Sequence, residues 1–145
     1  MESIKIVDIL LVEDSIGDAR LAQEALKESK VRNSLHIVTD GVQAVDYLFR
    51  RNQFAQVPRP DLILLDLNLP KKDGREVLDE IKNDASLKII PVVILTMSKA
   101  EEDVLRSYKL HANCYITKPL NLEKFIQVIK SIEDFWLSIV QLPRQ

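Results

Sequence analysis

Apolar residues along this chain change period repeatedly, and the changes mark its elements. Lys5 to Val12 carries a nearly continuous run of Ile, Val and Leu, which predicts a strand buried on both faces. Leu21, Ala22, Ala25 and Leu26 then fall at helical spacing, after Asp14, Ser15 and Gly17, residues that turn a chain or cap a helix start. Leu35 to Thr39 predicts a second strand, and Ala44, Val45, Leu48 and Phe49 a second helix after the Asp40–Gly41 turn. A loop with Pro58 and Pro60 leads to Asp61 to Asp66, almost all Ile and Leu, and Val77, Leu78 and Ile81 mark a helix after Gly74. Pro91 opens a fourth strand, Val92 to Thr96, at the one strand position where a missing donor does not interrupt the ladder. Ala100 to Leu110 is expected to be helical, Cys114 to Thr117 a fifth strand, and Leu122, Phe125, Ile126, Ile129 and Ile132 line one face of a last helix. Five β-α units predict a parallel sheet with helices on both faces, joined by right-handed crossovers.

Four of the five apolar runs end in polar residues: Glu13 and Asp14, Asp66, Thr96, and Lys118. In a parallel sheet the carboxyl ends of the strands share one rim, so these residues are expected to converge on one pocket. An acidic trio, a hydroxyl and an ammonium suit phosphate chemistry. Each also has an ordinary explanation when taken alone. An acid after a strand often caps a helix, Thr96 is a typical β-branched strand residue, and Lys118 could be a solvated surface lysine. Three carboxylates at one rim repel one another, however, and a bound cation is the simplest compensation.

Composition narrows the class. A chain of 145 residues, 46% hydrophobic, has the size of one domain with its own core. Its 20 basic and 22 acidic residues give a net charge of −2, which offers no general attraction to nucleic acid or to a membrane surface. One cysteine, Cys114, cannot form an intrachain disulfide and reads as a small core residue. No N-terminal stretch has a secretion signal's layout, so a cytoplasmic setting is expected.

The motifs LLVEDS at 10–15, DLNLPKKDG at 66–74, Thr96 at a strand end and YITKP at 115–119 resemble, in order, those of two-component response regulator receiver domains. The resemblance spans nearly the whole chain and implies a flavodoxin-like, doubly wound five-stranded sheet in the order 2-1-3-4-5. It implies that Asp66 accepts a phosphoryl group as an acyl phosphate, and that Mg²⁺ is held by Glu13, Asp14, Asp66 and the backbone carbonyl of Asn68. Thr96 and Lys118 are then the residues that meet the phosphoryl group, Lys118 through a cis bond to Pro119. Tyr115 is then an aromatic switch, although alone it reads equally well as a half-buried strand tyrosine. Asn68, Met97 and Ser98 are expected to tune phosphorylation or its lifetime, Met97 by narrowing access to Asp66.

Details such as HANCYITKP and SIEDFWL resemble the small receivers that partner cyanobacterial phytochrome histidine kinases. They imply a phytochrome-type sensor kinase as phosphodonor and a homodimer. The partner face expected from the family lies on the fourth helix, fifth strand and last helix, with Tyr108, Phe125, Phe135, Trp136 and Leu137. Apolar residues continue through Ile139, Val140 and Leu142, so residues 134–145 read as an apolar extension. It either folds back on its own domain or forms a patch for association. The competing enzymatic reading is a Mg²⁺-dependent aspartyl phosphohydrolase acting on small phosphate esters. Such enzymes place an acid two residues after the nucleophile, where this chain has Asn68, and they use a cap domain for which no segment is evident. A receiver-like module without phosphorylation is disfavoured, because every residue the chemistry needs is present.

Overall fold

Ile9 and Leu11 face one side of the first strand and Leu10 and Val12 the other, and all four are fully buried. That alternation is how one continuous apolar run feeds two separate cores. The computed structural model describes residues 6–29, 32–96, 114–117, 121–127 and 130–131, with 96 and 114–117 described by their backbone alone. The strands are β1 (Val7–Val12), β2 (Asn33–Val38), β3 (Leu62–Asp66), β4 (Val92–Thr96) and β5 (Cys114–Thr117). They form one sheet in the order β2-β1-β3-β4-β5, every neighbouring pair parallel, as expected. The helices are α1 (Ile16–Lys27), α2 (Gly41–Leu48) and α3 (Gly74–Lys82), and residues 122–127 are also helical. None of the described helices is long and apolar enough to cross a membrane.

One core lies under α2 and α3, where Val45, Leu48, Val77 and Ile81 pack on Leu10, Val12, Ile63 and Ile94. The other lies under α1, where Ala22, Ala25 and Leu26 meet Ile9, Leu11, Leu64 and Leu95. Phe125 belongs to this second core and has no accessible area. This corrects its expected place on a partner face: the ring anchors its helix to the sheet and offers a partner nothing to touch.

Element boundaries shift for local reasons. β2 begins at Asn33 rather than Leu35, because Asn33 pairs with Val7 in the ladder and its amide donates to the Leu26 carbonyl (3.0 Å) at the end of α1. Thr39 leaves the strand because its N–H donates to the Gln43 side chain (3.1 Å). Asp61 precedes β3, exchanging hydrogen bonds with Asp8: its N–H donates to the Asp8 carbonyl (2.7 Å) and its carboxylate accepts from the Asp8 N–H (2.9 Å). Two 3-10 turns, Asn52–Phe54 and Leu87–Ile89, have no counterpart in the expected pattern. The expected helix at 100–110 and the tail after residue 131 lie outside the described residues.

Candidate functional site

The rim at the carboxyl ends of β1 and β3 is built by helix starts. Ser15 caps α1, its hydroxyl accepting from the Asp18 N–H (3.2 Å), which turns the chain sharply after β1 and leaves Glu13 and Asp14 at the strand end. Asp40 caps α2 in the same way, accepting from the Gln43 N–H at 2.7 Å. β3 ends on Asp66, and the loop from Leu67 to Asp73 carries the chain into α3.

Glu13, Asp14 and Asp66 converge as expected. One carboxylate oxygen from each lies within 4.8 Å of the others, with Glu13 and Asp66 buried and Asp14 exposed. The two buried acids are held alike, each by the N–H two residues further on. Ser15 donates to Glu13 Oε1 (3.1 Å), and Asn68 donates to Asp66 Oδ1 (3.0 Å). Such short turns fix each carboxylate to its own backbone, so neither side chain can easily swing away from the other. Three hard oxygen donors at this separation, two of them removed from water, fit a divalent cation of the Mg²⁺ or Mn²⁺ type far better than a soft metal.

The other expected site residues are placed less fully. Thr96 ends β4 one residue beyond Leu95, the register partner of Asp66, so its backbone lies at the same rim. Tyr115 is in β5, opposite Ile94. Met97, Ser98, Tyr108, Lys118, Phe135, Trp136 and Leu137 lie outside the described residues. Asn68 is exposed and directly follows the Asp66–Leu67 peptide.

Two glycines, one at each helix start, shape the loop behind the acids. A Cβ on Gly74 would stand 2.4 Å from the Asp66 carbonyl oxygen and 2.5 Å from Leu67 Cα. One on Gly41 would stand 1.9 Å from the Lys72 carbonyl oxygen. The start of α3 therefore presses on the Asp66–Leu67 peptide, and the start of α2 on the far side of the same loop. The signal was present in the sequence as a repeated Asp-Gly pair, at 40–41 and 73–74, which reads as turn chemistry until the loop between the helices is seen.

Residues 9–130 match the response regulator receiver domain family, and the chain belongs to it. The response regulator Rcp1 of Synechocystis sp. is 56% identical over 135 residues, covering 93% of this chain and 92% of its own. Among solved structures, the phosphorylated cyanobacterial phytochrome response regulator RcpA aligns with a TM-score of 0.82 at 55% identity, covering 97% of this chain and all of its own. The Mn²⁺-bound form of Rcp1 aligns with a TM-score of 0.80 at 54% identity, covering 95% and 99% of the two chains.

Proposed function

We propose that this protein is a phosphorylation-dependent signalling switch that accepts a phosphoryl group on Asp66 from a sensor histidine kinase of the phytochrome type. The observation that carries the reading is the convergence of Glu13, Asp14 and Asp66 at the end of β3, with Asp66 held in place by the Asn68 N–H. The similarity to Rcp1 and RcpA supports the choice of kinase, since RcpA is a phytochrome response regulator.

In this reading an Asp66 oxygen attacks phosphorus, so that an O–P bond forms as the donor's N–P bond breaks and the donor histidine leaves as imidazole. Glu13, Asp14, Asp66 and the Asn68 carbonyl are assigned to hold Mg²⁺. When bound, the ion offsets the charge gathered as a dianionic phosphoryl group meets a carboxylate. Thr96 and Lys118 are assigned to the phosphoryl oxygens and Tyr115 to the switch. Asn68, Met97 and Ser98 are assigned to access and lifetime. The added charge biases two conformations of the rim and remodels a binding surface. Residues 1–145 act as one domain in the cytoplasm, with output through protein contacts on the fourth helix, fifth strand and last helix, and with residues 134–145 joining two copies. Asn68 supplies no general acid, which weighs against turnover of phosphate esters.

The test is incubation with acetyl phosphate, with and without Mg²⁺, followed by phosphate-affinity electrophoresis and size-exclusion chromatography. Wild type is expected to show a Mg²⁺-dependent shifted band and Asp66→Asn none. Labelling of Asp66→Asn would remove Asp66 as the acceptor, and a monomeric elution volume in both states would remove the homodimer.

A further inference from the structure

Asp40 is 4% exposed, and its two carboxylate oxygens have different partners. Oδ1 accepts from the Gln43 N–H at the start of α2 (2.7 Å), while Oδ2 lies 3.6 Å from the ammonium of Lys71. Lys71 is in the loop that follows Asp66, three residues after Asn68. The Asp40 side chain is 6% exposed and that of Lys71 68%, so the pair joins a buried carboxylate to an ammonium that reaches it from the solvent side. The backbone at Lys71 has φ 68°, a left-handed conformation in which Gly or Asn is the ordinary choice and other residues cost about 1 kcal/mol or more. In that conformation the Lys71 ammonium faces the buried Asp40 carboxylate, so backbone and side chain together set where residues 70–72 lie against α2.

The same loop touches α2 by backbone as well. The Gly41 N–H donates to the Pro70 carbonyl (3.4 Å), and Gly41 sits against the Lys72 carbonyl, so the α2 start and residues 70–72 meet along a continuous contact. At its other end the loop is tied to the acids through the Asn68 N–H on Asp66 and the Gly74 N–H on the Leu67 carbonyl (2.9 Å). The neighbouring basic residues are engaged elsewhere, Lys72 with Glu80 (2.6 Å) and Arg75 with Asp73 (3.2 Å).

We propose that Asp40 and Lys71 are positioning residues, an ionic clasp that sets the β3–α3 loop and thereby the cation affinity of the Glu13, Asp14 and Asp66 cluster. The proposal rests on the metal reading above. Neither residue touches the cation. The Asn68 N–H, at the other end of the same loop, donates to Asp66 Oδ1, and the clasp acts on the acids through that connection.

The decisive variant is Lys71→Gly, which suits the backbone conformation and removes the charge. Its melting temperature is expected to equal or exceed that of wild type. Its Mg²⁺ affinity by titration calorimetry is expected to fall about fivefold, less than the roughly 10- to 100-fold lost when a group hydrogen-bonded directly to a ligand is removed. Asp40→Asn keeps a capping oxygen and is expected to lose a similar factor. The double variant is expected to be no weaker than Asp40→Asn alone, because one clasp is broken once. Lys71→Arg is expected to restore binding. Wild-type Mg²⁺ affinity in Lys71→Gly, or additive losses in the double variant, would overturn the clasp while leaving the metal site standing. A wild-type protein that binds no Mg²⁺ in the same titration would overturn the metal reading and the clasp with it.

Discussion

Tyr47 brings a hydroxyl into the core under α2, buried and, among the described residues, without a hydrogen-bond partner. Its ring earns the position by packing on Phe54 (5.3 Å between centroids) and His36 (5.9 Å). Burial first, and then the Asp8 carboxylate, push its pKa from 10.0 up to about 12. Because the folded state holds this proton more tightly than the unfolded chain, the contribution is fully present below pH 10 and is lost as pH rises towards 12. Tyr47→Phe is therefore expected to raise stability in urea by about 1 kcal/mol at neutral pH and to flatten the alkaline fall between those values. Gly74 illustrates the opposite constraint. Gly74→Ala must displace the Asp66–Leu67 peptide, and is expected to cost about 1–3 kcal/mol of stability and to slow labelling of Asp66 by about tenfold. Glu13, Asp14 and Asp66 were legible at this scale because each ends an apolar run. Lys71 was not, because a left-handed backbone angle and an ion pair across two loops leave no periodic trace.

At the scale of elements, the end of α2 is a complete Schellman motif. The Arg51 N–H donates to the Asp46 carbonyl (2.8 Å) and the Arg50 N–H to the Tyr47 carbonyl (3.1 Å), with Arg50 at φ 55°. Arginine occupies the position that glycine fills most comfortably, so Arg50→Gly is expected to stabilise the fold by about 0.5–1 kcal/mol in chemical denaturation. The strands were legible as uninterrupted apolar runs and α1 to α3 as spaced ones. The turn at 52–54 was not: Asn52 takes φ 54° and its amide donates to the Asp46 carboxylate (3.2 Å), while Phe54 lands on Tyr47, contacts that leave no periodic trace. Phe125 has the helical spacing that marks burial, and its expected place on a partner face comes from the family resemblance rather than from that stripe.

For the molecule as a whole, the crowded acids would make a bound cation part of the stability balance. Mg²⁺ at about a hundred times its dissociation constant is expected to add about 2.7 kcal/mol to wild type, seen as a raised melting temperature. Asp66→Asn is expected to lose most of that gain, yet to be the more stable protein by about 1 kcal/mol when Mg²⁺ is absent, since one repelling charge is gone. The overall topology was legible because β-α alternation and strand-end polarity agree with one another.

The strand order carries one more consequence, for synthesis. β1 lies between β2 and β3, but its contact with the β3 side joins residues 53 apart, as Asp8 and Asp61 are. At about 5–20 residues per second, one edge of an almost wholly apolar strand stands bare for several seconds while the nascent chain lengthens. During that interval the half-made chain is most exposed to pairing with a second copy of itself, and factors that hold nascent chains on the ribosome have the most to protect.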